Sequence, residues 1–210
     1  MTILLGPILA TIPGMVRFDD RSALIVADIQ NDFADPSGSL AVRGGDGIVA
    51  RVNQEILNAN EGGGMVVLTQ DWHPESTPHF AKDGGIWPVH CVAGTWGAEL
   101  HPALEVSLDA PRVYKGSNGE DGYSGFTMRD PLSGEQIPTE LDSLLRARRV
   151  ERVVICGLAT DYCVRATVLD ALRLGYETSV LGDAIAAVEL QEGDGERAIG
   201  EMQAAGAVLA

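Results

Sequence analysis

Short β-branched runs alternate with amphipathic helical segments along nearly the whole chain. That alternation restricts the fold more than any other feature. Residues 23–27, 65–69, 112–114, 153–155, 178–181 and 207–209 read as six buried strands. Between the first two, Ile48, Val49, Val52, Ile56 and Leu57 share one helical face, with Asp46 as the expected cap and Gly62-Gly63-Gly64 as the stop. Leu141, Leu144 and Leu145 mark a second helix, ending near the basic run at 146–149. Val164, Val168, Ala171 and Leu172 mark a third, ended by Gly175, and residues 196–205 a fourth. Strands that alternate with helices form a parallel sheet covered on both faces. The expected fold is therefore α/β: a three-layer α/β/α, Rossmann-like domain with a six-stranded parallel sheet. A single domain over residues 22–210 is expected, preceded by an N-terminal extension over 1–21.

The 210 residues suffice for one sizeable core. A net charge of −15 argues against nucleic acid and against anionic membrane surfaces, both of which would repel the chain. The three cysteines, Cys91, Cys156 and Cys163, are too few and odd in number for a disulfide framework. A reducing, cytoplasmic location follows as the expectation. The apolar start has no Lys or Arg before Arg17 and is interrupted by Gly6, Pro7, Pro13 and Gly14. It matches neither a signal peptide nor a membrane span. It reads instead as an arm over a hydrophobic surface or a neighbouring subunit of a homo-oligomer.

In a doubly wound sheet the site lies outside the carboxyl ends of the strands. Asp28 ends the first strand, Asp71 and His73 the second, Lys115 the third, and Cys163 follows the fourth. Surface decoration would scatter such residues over both edges. The Cys163 stretch, Val153-Val154-Ile155-Cys156-Gly157-Leu158-Ala159-Thr160-Asp161-Tyr162-Cys163-Val164, reads as strand, turn and helix start, with Thr160 as the expected N-cap. A thiol at a helix start, near a cation, is biased toward thiolate. Cys163 is then a nucleophile, with Lys115 as the cation and Asp28 as the base. The bland alternatives are a small buried hydrophobe at Cys163 and a plain Asp28–Lys115 salt bridge. No serine stands in a G-x-S-x-G setting after a strand.

The irregular stretch 72–108 holds all four histidines and all three tryptophans. Asp71 and His73, two apart at a strand end, can face the same way, and His90 can close a third position. Carboxylate plus imidazole suits one divalent transition metal: zinc, iron or manganese. His101 and Cys91 read as structural.

Together these residues resemble the nicotinamidase/pyrazinamidase group of the isochorismatase-like cysteine hydrolases. The matching pieces are Asp28-Ile29-Gln30-Asn31-Asp32-Phe33, Gln70-Asp71-Trp72-His73-Pro74, Trp87-Pro88-Val89-His90-Cys91, Tyr114-Lys115-Gly116, Asp121-Gly122-Tyr123-Ser124-Gly125-Phe126 and Gly157-Leu158-Ala159-Thr160-Asp161-Tyr162-Cys163-Val164. Each is weak alone; in this order they are specific jointly. The resemblance implies a catalytic triad of Asp28, Lys115 and Cys163, and a metal on Asp71, His73 and His90, with zinc the first choice. It implies that His79 is an extra ligand, as in some members only. It implies a cis peptide before Ala159 and an oxyanion hole from the backbone N–H groups of Ala159 and Cys163. It places Phe33, Trp87 and Tyr123 at ring-contacting positions, where ordinary core packing is the alternative. The implied activity is hydrolysis of nicotinamide, and of pyrazinamide, through a cysteine thioester, within NAD recycling. The metal's implied part is to bind the pyridine nitrogen. Hydrolysis of another small amide, a metal-bound hydroxide mechanism with a structural Cys163, and a non-catalytic metal-binding domain stay open as alternatives.

Overall fold

The structure, a computed structural model, describes residues 16–210. In chain order its strands are β1 (Ser22–Ala27), β2 (Met65–Asp71), β3 (Arg112–Lys115), β4 (Thr127–Arg129), β5 (Gln136–Pro138), β6 (Arg152–Leu158), β7 (Glu177–Ala186) and β8 (Val208–Leu209). The α-helices are α1 (Asn31–Ala34), α2 (Val49–Gly62), α3 (Leu141–Ala147), α4 (Arg165–Arg173) and α5 (Asp194–Ala204). Six strands form one sheet in the order β3-β2-β1-β6-β7-β8, and every neighbouring pair is parallel.

The period-two geometry of a strand sorts its side chains between two cores. Leu24 and Val26 of β1 join Val52 and Ile56 of α2 on one face. Ala23, Ile25 and Ala27 join Leu141 and Leu145 of α3, Val168 and Ala171 of α4, and Met202 of α5 on the other. Three layers result, as the alternating sequence requires. Both faces of the central strands are covered, so the unbroken apolar run of β1 is fully buried.

Several local expectations need correction. Asp46 does not cap α2 with its side chain; it accepts the Gly47 N–H at 2.9 Å, and Ile48 occupies the cap position. Thr160 does not cap the fourth-strand helix either. Residues Thr160–Val164 form a π-helical turn with Ala159 at its cap and no side-chain cap bond. The fifth sheet strand continues through Gly182 and Asp183 to Ala186, five residues beyond the expected end. The glycine-rich stretch before Gly134 contains β4, which pairs antiparallel with β5 just beyond that glycine.

The expected arm over residues 1–14 lies outside the described residues. From Val16 onward the chain is docked, and Phe18 is buried in the core beside α2. No helix among the described residues is long and apolar enough to cross a membrane.

Candidate active site

The parallel sheet brings the carboxyl ends of β3, β2, β1 and β6 to one edge, in that spatial order. Asp71 pairs with Lys115 in the ladder, and Ala27 pairs with both Thr69 and Gly157. Asp28, just past β1, therefore stands beside the ends of β2 and β6. It adopts φ 49°, in the left-handed region that non-glycine residues rarely enter. At Gly157, φ is 110° and an added Cβ would stand 2.1 Å from the Ala27 carbonyl oxygen. Only glycine lets β6 pass that close to β1 before the chain turns toward Cys163. The peptide between Leu158 and Ala159 is cis.

Lys115 is the hub of the edge. Its Nζ lies 2.7 Å from Asp28 Oδ2, 2.8 Å from Asp71 Oδ1 and 3.4 Å from Cys163 Sγ. It also reaches the Tyr123 carbonyl at 3.4 Å. The Thr69 hydroxyl donates to the other Asp28 oxygen at 2.6 Å. Asp28, Asp71 and Cys163 each place one atom within 4.8 Å of the others. All four groups are buried. Burial of an ammonium would lower its pKa, but the two carboxylates and the thiol hold Lys115 well above its ordinary value. Burial raises Asp28, against the pull of Lys115. Asp71 is also pushed up by burial, but Lys115 and then His73 and His90 outweigh this and hold it well below the ordinary carboxylate value. Burial pushes the Cys163 thiol well up, and Lys115 only partly offsets it. Burial thus favours the thiol over the thiolate that a helix-start cysteine would suggest. A base able to take its proton, Asp28, is within the same cluster.

The second cluster shares Asp71. His73, His79 and His90 each place a ring nitrogen within 4.8 Å of the others, and all are buried. Asp71 Oδ2 lies 3.7 Å from His73 Nε2 and 3.9 Å from His90 Nε2. His90 Nδ1 donates to the Pro88 carbonyl at 2.7 Å, which leaves Nε2 with its lone pair toward Asp71. Burial lowers the His90 pKa to about 4, so its imidazole is neutral at neutral pH. Both His73 ring nitrogens are buried with no hydrogen-bond partner. Such orphaned donors and acceptors are costly unless something else engages them. The donor set, one carboxylate and three imidazoles, fits a divalent transition metal. His79 Nδ1 is 2.9 Å from Asp121, whose other oxygen holds Arg129 at 2.7 Å.

Beside both clusters opens a pocket with about 360 Å³ of space free of protein atoms, its mouth toward solvent. Phe33, Trp87 and Tyr123 line it, together with Ala159 and Cys163. The Trp87 indole donates to the Tyr123 hydroxyl at 3.0 Å. Leu40, Val42, Tyr162 and Val188 complete the apolar lining. Tyr162, edge-on to Trp87 at 4.8 Å, was signalled by its place beside Cys163 but not singled out as a site residue. Leu40, Val42 and Val188 come from loops without a motif, and nothing local marks them.

Supporting residues lie within the first matching piece, where nothing singles them out as part of the site. Gln30 donates to the Asp71 and Ala98 carbonyls at 2.7 and 2.9 Å and accepts the Asp71 N–H at 2.8 Å, locking the end of β2. Asp32 accepts the Cys91 N–H at 2.7 Å and the Ser39 N–H at 3.0 Å. It ties the His90 segment, where Cys91 has φ 45°, to the loop bearing Leu40.

Fold and site define a doubly wound α/β protein with a buried thiol–ammonium–carboxylate centre beside a histidine cluster. The sequence profile of the isochorismatase domain matches residues 22–210, and the chain belongs to that family. It is 40% identical over 203 residues to the nicotinamidase of Escherichia coli (strain K12), covering 89% of this chain and 93% of that one. The crystal structure of the pyrazinamidase of Pyrococcus horikoshii in complex with zinc superposes with a TM-score of 0.81 at 42% identity, over 90% of this chain and 98% of that one. PnC1 from L. infantum in complex with nicotinate gives 0.83 at 36% identity, over 93% and 95% of the two chains.

Proposed function

We propose that this protein hydrolyses the carboxamide of nicotinamide, and of pyrazinamide, to the carboxylate and ammonia through a thioester on Cys163. The observation that carries the reading is the buried contact of Lys115 with Asp28, Asp71 and Cys163 at once, which welds a nucleophile centre to a metal-type cluster. The nicotinamidase and pyrazinamidase relatives, and the nicotinate held by one of them, support the substrate class. Asp71, His73 and His90, with His79 as a further ligand, would hold one divalent transition metal, for which zinc is favoured by the relative that contains it. When bound, that ion would take the ring nitrogen of the substrate and so orient the ring.

The reaction itself runs on the chain's own groups. Asp28 takes the Cys163 proton as the sulfur attacks the carboxamide carbon. The raised Asp28 makes it a stronger base than an ordinary aspartate. Lys115 stays charged and balances the two carboxylates. The backbone N–H groups of Ala159 and Cys163 hold the oxyanion, and one such donor is worth roughly 3 kcal/mol of barrier. Asp28 returns the proton to the nitrogen, the C–N bond breaks and ammonia leaves. Water then gives a proton to Asp28 and attacks the thioester. The C–S bond breaks, the sulfur regains the proton from Asp28, and the acid product departs, giving its remaining proton to solvent to become the carboxylate. Phe33, Trp87 and Tyr123 pack against the flat ring.

Assembly as a homo-oligomer belongs to the same proposal, supported by the exposed Val208 and Leu209 on the edge strand β8. So does a cytoplasmic location, supported by three free cysteines. The test is ammonia release from nicotinamide by the metal-loaded wild type, Cys163→Ala and His73→Ala. The wild type turns over, Cys163→Ala loses about 10⁴-fold or more in kcat, and His73→Ala loses metal and activity together. Turnover surviving in Cys163→Ala would favour a metal-bound hydroxide instead. Inactivity of the loaded wild type on both amides would move the substrate to another small amide.

A further inference from the structure

The last ladder pairing between β6 and β7 joins Leu158 to Ala186. Beyond it β6 turns off into the π-helical turn that carries Cys163, while the chain after β7 runs on along the pocket. The amides of Val188 and Glu189 therefore lack a strand neighbour. A side chain replaces it: the Val188 N–H donates to Asp161 Oδ1 and the Glu189 N–H to Asp161 Oδ2, each at 2.9 Å. Asp161 is buried and both its oxygens are used in this way. It does not line the pocket, whereas Val188 does. Glu189, with φ 57°, extends the clamp, accepting the Gly193 and Gly195 N–H groups at 2.7 and 2.8 Å at the start of α5.

From this geometry we infer that Asp161 is a positioning residue that holds Val188 as a fixed wall of the pocket and thereby limits the size of the ring the pocket accepts. Charge-assisted bonds to backbone amides are the strong, directional kind, suited to fixing a loop that has no ladder. Two residues from the nucleophile, the same carboxylate sets how far the wall stands from it. The inference rests on the proposed amide hydrolysis for its kinetic arm only.

The test compares Asp161→Asn, Val188→Ala and the double variant. An asparagine at 161 presents an NH2 to one of the two amides and loses that bond. Hydrogen exchange of the Val188 and Glu189 amides then accelerates at least about tenfold over the wild type. KM for nicotinamide rises about 3- to 10-fold while kcat changes less than about threefold. The discrimination against a ring-methylated nicotinamide shrinks in Asp161→Asn as it does in Val188→Ala. In the Val188→Ala background, Asp161→Asn then shifts KM less than about twofold, because the wall it acts through is gone. A fall in kcat with unchanged KM, persisting in the Val188→Ala background, would overturn the inference and assign Asp161 to the nucleophile turn. Should Asp161→Asn not fold, the exposed Glu189→Gln loosens the same segment and raises KM in the same direction; faster exchange there with unchanged KM contradicts the inference. The exchange arm needs no substrate. Unchanged exchange in Asp161→Asn therefore sinks the clamp, whereas an inactive wild type sinks only the proposed reaction.

Discussion

Asp28 and Lys115 occupy a space where neither charge would be tolerated alone. Burying an isolated ion is expensive: Lys115 is offset by Asp28 and Asp71, and Asp28 by Lys115 and the Thr69 hydroxyl. Lys115→Gln leaves two buried carboxylates uncompensated, and about 3–5 kcal/mol of stability is lost, read as a lower urea midpoint. In the proposed reaction Asp28 must be ionised to accept the thiol proton. Its pKa is raised, so kcat/KM falls with decreasing pH at a point above the ordinary aspartate value of about 3.9. The Cys163 thiol is raised as well, so it keeps its proton past the ordinary thiol value of about 8.5 and the alkaline limb lies beyond that. Asp28→Asn removes the acid limb along with about 10²–10⁴-fold of the rate. A pH profile of wild type against Asp28→Asn reads both. These residues were legible in the sequence because each ends a recognisable strand. The protonation state of Cys163 was not, because burial, which is a tertiary quantity, outweighs the local helix-start field.

At the scale of elements, β3 matters through the residue that follows it. Gly116 has φ 77°, and a Cβ there would stand 2.5 Å from His73 Nδ1. Gly116→Ala therefore pushes the His73 ring aside and weakens metal binding at least about tenfold, measured by competition with a chelator. The strands themselves were readable from β-branched runs. The π-helical turn was not: its neighbours include α5 and the loop clamped by Asp161, far along the chain. The extension of β7 was hidden by Gly182 and Asp183, which locally read as terminators. The β4–β5 hairpin was hidden because its short, largely exposed strands carry no buried alternation.

Across the whole molecule, one sheet edge gathers the Cys163 thiol, the Asp28 carboxylate, the Lys115 ammonium and a histidine cluster, while the aliphatic part of the pocket wall, Leu40, Val42 and Val188, comes from loops after β1 and β7. Asp28, Asp71, His73, Lys115 and Cys163 could be read from the strand ends, because parallel strands must share a carboxyl edge, whereas His79 rested on the family resemblance. The aliphatic wall could not be read so, because Leu40, Val42 and Val188 meet only in the folded chain. Metal that binds the folded but not the unfolded protein raises stability by mass action, about 2.7 kcal/mol at a hundredfold excess over Kd. Chelation should then lower the Tm of the wild type and leave that of His73→Ala unchanged. The central claim, a thioester on Cys163, is tested most directly by acid-quenching the metal-loaded wild type during turnover of nicotinamide and weighing the intact chain. A nicotinoyl adduct that maps to the peptide containing Cys163, and that is missing in Cys163→Ala, is the predicted result. Turnover without any adduct, in a Cys163→Ala protein that still releases ammonia, would contradict it.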